Sequence, residues 1–172
     1  LLDAPASGRM AVGEAITNLL PAPIELHRIK LSCNWMAACG EPGEDAALYD
    51  TVQAVAMELC PGLGIGVPVG KDSLSMRTRW DHDGESRQVT APVSLIVTAF
   101  ATLDDVRGTL TPQLQPVDSA LILVDLGQGR MRMGGSMLAQ CLSRFGDTVP
   151  DLDDAQLLKS LVAAINELRD AG

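Results

Sequence analysis

Apolar segments of two different periodicities alternate along this chain, and proline or glycine separates most of them. Three segments place apolar side chains at the three- and four-residue spacing of amphipathic helices, namely 9–20, 44–59 and 153–169. Four shorter runs rich in Val, Ile and Leu are typical of strands, namely 29–33, 65–69, 93–100 and 120–126. The alternation indicates a fold that mixes helices with strands.

Turn signals between these segments predict how they connect. Asp81–Gly84 is typical of a hairpin turn, with a return strand through Val93–Phe100, and Pro61–Gly62 is expected to end the second helix. A segment rich in Thr, Pro and Gln at 108–116 marks a seam, which predicts one domain at 1–108 and the start of another at 109–172. In the second part, a glycine-rich loop at 127–135 is expected to lead into a helix that ends near Phe145.

The charge balance limits the kinds of partner. The formal net charge is −9, and a polyanion is bound through clustered Lys and Arg, so nucleic acid is not expected as the main ligand. A phosphate-bearing ligand would have to be met by a few local cations, backbone N–H groups or a metal ion. With 47% apolar residues the chain has enough apolar side chains for a packed core. We expect no signal peptide and no membrane span, and the absence of an initial Met suggests a fragment.

The cysteines and histidines do not form a recognisable site. The four cysteines contain no C-x-x-C pair and the chain has two histidines, so neither a zinc site nor a nucleophilic triad is predicted. Buried thiols in a reducing cytoplasm are the simpler interpretation.

Glu14 and Asn18 lie four residues apart in the first predicted helix, which places both side chains on one face. A carboxylate and a carboxamide are hard oxygen donors, which Mg²⁺ accepts while it keeps waters and nucleotide phosphates as other ligands. Spacing alone favours an ordinary exposed polar pair over a metal site.

The strongest local candidate for an anion site is the run Gly70-Lys71-Asp72-Ser73, which follows a predicted strand. Gly70 permits close approach of a ligand to the backbone, Lys71 supplies a charge for phosphate, and Ser73 supplies a hydroxyl. In the extended segment that follows, period two places four side chains on one face: Ser73, Ser75, Arg77 and Arg79. This face is either a binding site for an anionic ligand or the solvated face of an edge strand.

Two weaker signals remain. The glycines at 127–135 match neither established phosphate-loop spacing, so a plain strand-to-helix connection is favoured there. Asp45, Asp72 and Asp125 are further acidic candidates, but no defined spacing pairs them.

Several motifs in register resemble one family. They are Arg9-Met10-Ala11-Val12-Gly13-Glu14-Ala15-Ile16-Thr17-Asn18, Lys30-Leu31-Ser32-Cys33-Asn34-Trp35-Met36, Pro42-Gly43-Glu44-Asp45-Ala46 and Pro68-Val69-Gly70-Lys71-Asp72-Ser73-Leu74-Ser75-Met76. Leu110-Thr111-Pro112-Gln113-Leu114 and Val124-Asp125-Leu126-Gly127 continue the match in order. Together they resemble the central synthetase region of the large, single-chain phosphoribosylformylglycinamidine synthases of purine biosynthesis.

The resemblance implies an ATP-dependent carbon–nitrogen ligase that uses glutamine as amido donor. Such enzymes convert formylglycinamide ribonucleotide, glutamine and ATP into formylglycinamidine ribonucleotide, glutamate, ADP and phosphate. The fold implied is α+β: an N-lobe similar to aminoimidazole ribonucleotide synthetase, with a mixed sheet and flanking helices, at 1–108. The first part of an α/β C-lobe would follow at 109–172. Both would belong to the second of two pseudo-symmetric halves.

The resemblance also implies ligand roles for individual residues. Glu14 and Asn18 match the Mg²⁺ ligands that accompany a nucleotide in this half, which reverses the preference drawn from spacing. The implied nucleotide-binding residues are Gly70, Lys71 and Asn34, with ATP or ADP as the ligand. The implied substrate-binding residue is Ser73, and Arg77, which shares its face in the extended segment, is predicted to bind the substrate with it. Shorter relatives carry Asn at the position of Lys71, so a direct contact with phosphate suits Lys71 better than a metal role.

The implied partners are ATP, formylglycinamide ribonucleotide and the rest of the same polypeptide, namely the first synthetase half and a glutaminase domain. No catalytic residue is assigned here, because the glutaminase Cys-His-Glu set has no counterpart in this chain. We therefore expect a cytoplasmic protein segment that is inactive alone. Its N-lobe sheet would expose an apolar face that the other half covers, so self-association of the fragment is also expected.

Two alternatives stay open. The chain could be another ATP-binding member of the same superfamily, such as a selenophosphate synthetase or a thiamine-phosphate kinase, although those carry an aspartate-rich motif near their start. It could also be a non-catalytic acidic lobe that packs against a partner.

Overall fold

A computed structural model describes residues 2–171. The strands are β1 (Lys30–Met36), β2 (Gly66–Gly70), β3 (Arg77–His82), β4 (Glu85–Thr90) and β5 (Ser94–Phe100). The α-helices are α1 (Ala4–Thr17), α2 (Glu44–Val52), α3 (Cys60–Leu63), α4 (Met137–Cys141) and α5 (Ala155–Ala171). Three strands form a mixed sheet in the order β2-β1-β5, in which β1 is parallel to β2 and antiparallel to β5. A mixed sheet with flanking helices confirms the predicted α+β class.

The helices cover one face of this sheet. Along β1 the burial alternates, so that Leu31, Cys33 and Trp35 point into the core. There they join Val12 and Ile16 of α1, both fully buried, in one apolar cluster. The alternate side chains of β1 and β5 lie on the opposite face, which we call the outer face: Ser32, Asn34, Met36, Ile96, Thr98 and Phe100.

The first helix begins five residues before the predicted start. The Asp3 side chain accepts the Ala6 N–H at 2.8 Å and caps the helix, and Pro5 occupies its first turn, where the lack of an N–H costs little. Pro61 does not end the second helical run, contrary to the prediction. The chain is π-helical at Gln53–Leu59 and continues as α3, so Pro61 falls in the first turn of a new segment. The run ends at Gly64, which has a positive φ of 73°.

The hairpin turn is confirmed, but its predicted return strand is wrong. Asp83 and Gly84 form the two-residue turn, with φ values of 53° and 78°. The strand that returns from it is β4, and every residue of β3 and β4 is exposed. The Val-rich segment predicted for this role is β5, which pairs with β1 instead. β5 is also exposed on alternate residues rather than buried throughout.

The predicted strand at 120–126 does not form. Leu121, Ile122 and Leu123 are 82%, 84% and 92% exposed, and among residues 2–171 no neighbouring strand pairs with this segment. An apolar run without a ladder partner has nothing to hold it as a strand. The helix expected to reach Phe145 ends at Cys141. The seam near 108 stays a prediction.

The last helix, α5, forms close to its predicted bounds. Leu158 and Val162 are buried and belong to the same apolar cluster as α1. The Asn166 side chain donates to the Ile24 carbonyl at 2.9 Å. Residues after 109 therefore contribute to the core built on the sheet. No helix in the described part of the chain has the length and apolarity needed to cross a membrane.

Two of the four cysteines are deeply buried. Burial, with a smaller contribution from Cys60 and Asp72, raises the pKa of Cys33 to about 12, and burial raises that of Cys60 to about 11. Cys141 is exposed on the short surface helix α4, so the expectation of buried thiols fails for it.

We therefore predict selective labelling of the native protein by iodoacetamide at pH 8. A pKa raised from 9.0 to about 11 lowers the thiolate fraction of Cys60 by about 100-fold, and burial slows access further. Cys141 should react first, and peptide mass mapping over time measures the order. Equal rates for Cys60 and Cys141 in the folded protein would contradict the prediction.

Candidate functional site

Glu14 and Asn18 are both exposed at the carboxyl-terminal end of α1. Asn18 caps the helix, and its backbone N–H donates to the Glu14 carbonyl at 3.0 Å. Within residues 2–171 no hydrogen bond or ion pair engages either side chain. Both side chains are thus free to bind a ligand from solvent.

Glu14 also lines a cavity of about 610 Å³ between α1 and the segment 123–132. This volume lies in the range of small-molecule sites. Asp125, Gly127 and Arg130 are on the other side of the cavity from Glu14. Asn18 is not among the cavity-lining residues, so the metal pair predicted from sequence meets the cavity through Glu14.

The opposite wall of the cavity is a tight turn held by Asp125. The two oxygens of Asp125 accept the N–H groups of Gly127 and Gly129, each at 2.8 Å. These two hydrogen bonds hold the pKa of Asp125 below its ordinary value, and the bond from Gly129 has the larger effect. The carboxylate is therefore used in shaping the glycine-rich turn.

The cations near the cavity are also paired. Arg132 and Arg130 contact Asp153 at 2.7 and 3.3 Å. The hydrogen bond from Arg132 is the main reason that the pKa of Asp153 is lowered. The cavity thus contains both signs of charge, with Glu14 as an acid that none of these arginines engages.

The donor set at Glu14 and Asn18 fits part of a Mg²⁺ site. One carboxylate and one carboxamide oxygen are the ligands that Mg²⁺ takes when waters and nucleotide phosphates complete its coordination. No group of three or more His, Cys, Asp or Glu side chains in the described residues is arranged to hold a metal ion. A metal at this position would thus depend on ligands from the nucleotide, from water or from elsewhere in a larger polypeptide.

The second group of predicted residues lies where β2 ends, beside β1. We call residues 70–73 the Gly70–Ser73 loop. The Lys71 N–H donates to the Cys33 carbonyl at 3.2 Å, and the Ser73 N–H donates to the Trp35 carbonyl at 2.9 Å. The loop therefore runs directly alongside Asn34, which lies between those two acceptors on β1. The predicted residues Asn34, Gly70, Lys71 and Ser73 are brought together.

Gly70 has a structural role at this position. A Cβ there would lie 3.2 Å from the Cys33 carbonyl oxygen, so a side chain would crowd the adjacent strand. Asn34 is half-buried on the outer face, and its Oδ1 atom is buried without a hydrogen-bond partner in the described structure. An unpaired amide oxygen beside Lys71 marks a position where a ligand donor can be accepted.

The arginines that follow the loop contact an acid that sequence analysis missed. Arg77 donates to Glu41 Oε1 at 3.1 Å and to the Cys39 carbonyl at 3.3 Å, and Arg79 reaches the same Glu41 oxygen at 3.4 Å. Their shared partner confirms that the two arginines lie on one face. Any anion that binds Arg77 must share the guanidinium with Glu41 or displace Glu41, whose side chain is only 16% exposed.

The two groups of predicted residues are separate. Glu14 and Asn18 belong to the helical layer, whereas Asn34 lies on the outer face of the sheet. No contact in the described structure joins the two groups. Asp72 was only an acidic candidate without a partner in the sequence, and in the structure its carboxylate accepts the Trp35 N–H at 3.2 Å. Neither Glu41 nor Asp72 could be found by spacing, because each partner is more than 30 residues away.

The chain matches a known domain family over more than half of its 172 residues. Residues 1–102 match the family model described as the FGAR-AT PurM_N-like domain, where FGAR-AT denotes formylglycinamide ribonucleotide amidotransferase. The match includes α1 and the sheet, and hence every residue predicted to bind a ligand. The chain therefore belongs to the FGAR-AT PurM_N-like domain family, which is related to the synthetases of purine biosynthesis.

Proposed function

We propose that this chain is part of the synthetase region of a large, single-chain phosphoribosylformylglycinamidine synthase. The enzyme would join the amido nitrogen of glutamine to formylglycinamide ribonucleotide, with ATP converted to ADP and phosphate. Residues 1–108 would form the N-lobe of the second pseudo-symmetric half, and 109–172 would begin its C-lobe. Membership of the FGAR-AT PurM_N-like family supports this proposal.

The observation that carries the proposal is the position of Glu14. Its carboxylate has no partner among residues 2–171, and it lines a cavity of ligand size opposite a glycine-rich turn. We assign to Glu14 and Asn18 the binding of Mg²⁺ that accompanies ATP or ADP. The ion would neutralise phosphate charge, while Glu14 would fix its position relative to α1.

The residues at the end of β2 are proposed to bind the phosphate-bearing ligands. Lys71 supplies a cation, Gly70 keeps the backbone accessible, and Asn34 offers its unpaired amide oxygen to the nucleotide. Ser73 and Arg77 are assigned to bind the phosphate of the ribonucleotide substrate. To reach this phosphate, Arg77 would give up part of its contact with Glu41.

The outer face of the sheet is proposed as the contact with the rest of the polypeptide. Ile96, Phe100 and Val69 are 53%, 47% and 53% exposed on or beside this face. The first synthetase half would cover it, and a glutaminase domain would supply ammonia. No residue of this chain is assigned to bond making or breaking, so the chain alone would be inactive. The protein would be cytoplasmic, and the isolated chain would self-associate through the exposed apolar side chains of the outer face. We propose neither a nucleic-acid nor a membrane partner.

The metal assignment predicts the effect of Glu14→Ala. In the intact synthetase, this change should weaken Mg²⁺-dependent binding of a non-hydrolysable ATP analogue by about tenfold or more, because a ligating carboxylate is lost. Asn18→Ala should have a smaller effect in the same direction, because a neutral oxygen is lost. Calorimetric titration with and without Mg²⁺ measures both.

Glu167→Ala is the matched control, since Glu167 is an exposed acid on α5 outside the cavity. It should leave the affinity unchanged. Unchanged nucleotide occupancy and unchanged stability in Glu14→Ala would disprove the metal assignment. They would also favour the alternative of a lobe that serves only for packing.

A further inference from the structure

We propose that Asp72 is a positioning residue, which sets the backbone path through Lys71 by accepting the Trp35 N–H in place of the Lys71 carbonyl. This inference rests on the proposed role of the Gly70–Ser73 loop in binding phosphate. It gives a role to Asp72, which the sequence marked only as an acidic candidate without a partner.

The evidence is a substitution within the ladder between β1 and the loop. The Lys71 N–H donates to Cys33, the Ser73 N–H donates to Trp35, and the Ala37 N–H donates to the Ser73 carbonyl at 2.9 Å. These bonds follow the even spacing of a parallel pair without an inserted residue. In that pattern the Trp35 N–H should donate to the Lys71 carbonyl.

The structure shows a different acceptor at this one position. The Trp35 N–H donates to Asp72 Oδ1 at 3.2 Å, and no backbone N–H of the described residues donates to the Lys71 carbonyl. Regular pairing of β2 accordingly stops at Gly70, although the chain stays beside β1 as far as Ser73. The Asp72 carboxylate thus releases the Lys71–Asp72 peptide from the ladder while the residues on both sides remain attached.

Burial makes the acceptor necessary. Trp35 is only 7% exposed, so water cannot readily replace a lost partner of its N–H. If residue 72 had no side-chain acceptor, the Trp35 N–H could regain a partner by rotation of the Lys71 carbonyl into the vacant ladder position. That rotation would restore a regular strand, cost little stability and change the backbone path of the Gly70–Ser73 loop at the proposed ligand site. Local departures from regular pairing are common beside ligand sites.

The proposal predicts a difference between Asp72→Ala and Asp72→Asn. Asparagine keeps an acceptor oxygen and removes the charge, whereas alanine removes both. Asp72→Ala should weaken binding of Mg²⁺ with a non-hydrolysable ATP analogue by about tenfold, while Asp72→Asn stays within about twofold of the parent protein. Asp81→Ala is the matched control, because it removes an exposed carboxylate from β3.

A second readout does not depend on nucleotide binding. In the NMR spectrum of Asp72→Ala, a scalar coupling across the new hydrogen bond should join the Trp35 amide nitrogen to the Lys71 carbonyl carbon, and it should be absent in Asp72→Asn and Asp81→Ala. The thermal midpoint should be nearly the same in all three. Absence of this coupling in Asp72→Ala would overturn the proposal. Equal tightening of nucleotide binding in both Asp72 variants would do so as well, because it would show that only the charge matters.

Lys71→Ala separates this inference from the proposed function. If Lys71→Ala weakens binding of the analogue and Asp72→Ala does not, the positioning role fails and the proposed function stands. If Lys71→Ala leaves binding unchanged, the phosphate role of the loop fails, and the positioning role fails with it.

Discussion

Gly8→Ala is expected to destabilise the fold by about 2 kcal/mol, although alanine is the better helix former by about 1 kcal/mol. Gly8 lies in α1 where this helix crosses α2. A Cβ at this position would overlap Thr51 Oγ1 and lie 2.9 Å from Val55 Cγ2. Thr51 and Val55 are 1% and 0% exposed, so neither side chain can move into solvent. The helices must separate, and the apolar contacts between them must loosen.

Gly13→Ala is the matched control in the same helix. The nearest atom to a Cβ at Gly13 is Leu152 Cδ2 at 3.6 Å, which is an ordinary contact. This variant should gain about 1 kcal/mol from helix propensity alone. Urea unfolding of the two variants should therefore differ by about 3 kcal/mol. Equal stability of the two proteins would show that the close crossing of α1 and α2 does not limit the fold.

Local patterns were sufficient for most elements of the first hundred residues. The apolar periodicity predicted α1, and the Asp83-Gly84 turn was evident from its residue types. Beyond that region, the same periodicity predicted α5. Pairing partners were not evident, since β4 is a polar, exposed strand without apolar alternation and the Val-rich β5 pairs elsewhere. The segment 120–126 shows the same limit: an apolar run indicates what a strand needs, but not whether a neighbour is present.

The candidate site was predictable only in part. The family resemblance assigned Asn34 to the same nucleotide site as Gly70 and Lys71, and the structure brings these residues together. The contacts of Glu41 with both arginines, and of Asp72 with Trp35, depend on how β1 lies against distant segments. Such contacts are fixed by tertiary packing, and for this reason the sequence assigned Arg77 to a ligand without showing its existing partner.

The second large effect is expected at the ion pair between Arg9 and Asp151. Arg9 Nε and Nη2 donate to the two oxygens of Asp151 at 2.8 and 2.7 Å, and the side chains are 23% and 16% exposed. This bidentate pair joins α1 to a segment 142 residues away, beyond the part that matches the domain family. Arg9→Ala should cost about 2 kcal/mol, because it leaves a largely buried carboxylate unpaired.

A double-mutant cycle with Asp151→Ala isolates the pair itself. We expect a coupling free energy of about 1–2 kcal/mol, since a bidentate contact with little solvent is screened weakly. Arg28 and Asp104, 2.9 Å apart, provide the control cycle, and Asp104 is 79% exposed. Their coupling should be below about 0.5 kcal/mol, as for other exposed pairs. Equal coupling in both cycles would contradict the expectation, and attachment of 151–171 to the sheet would then rest on the apolar contacts of α5 instead.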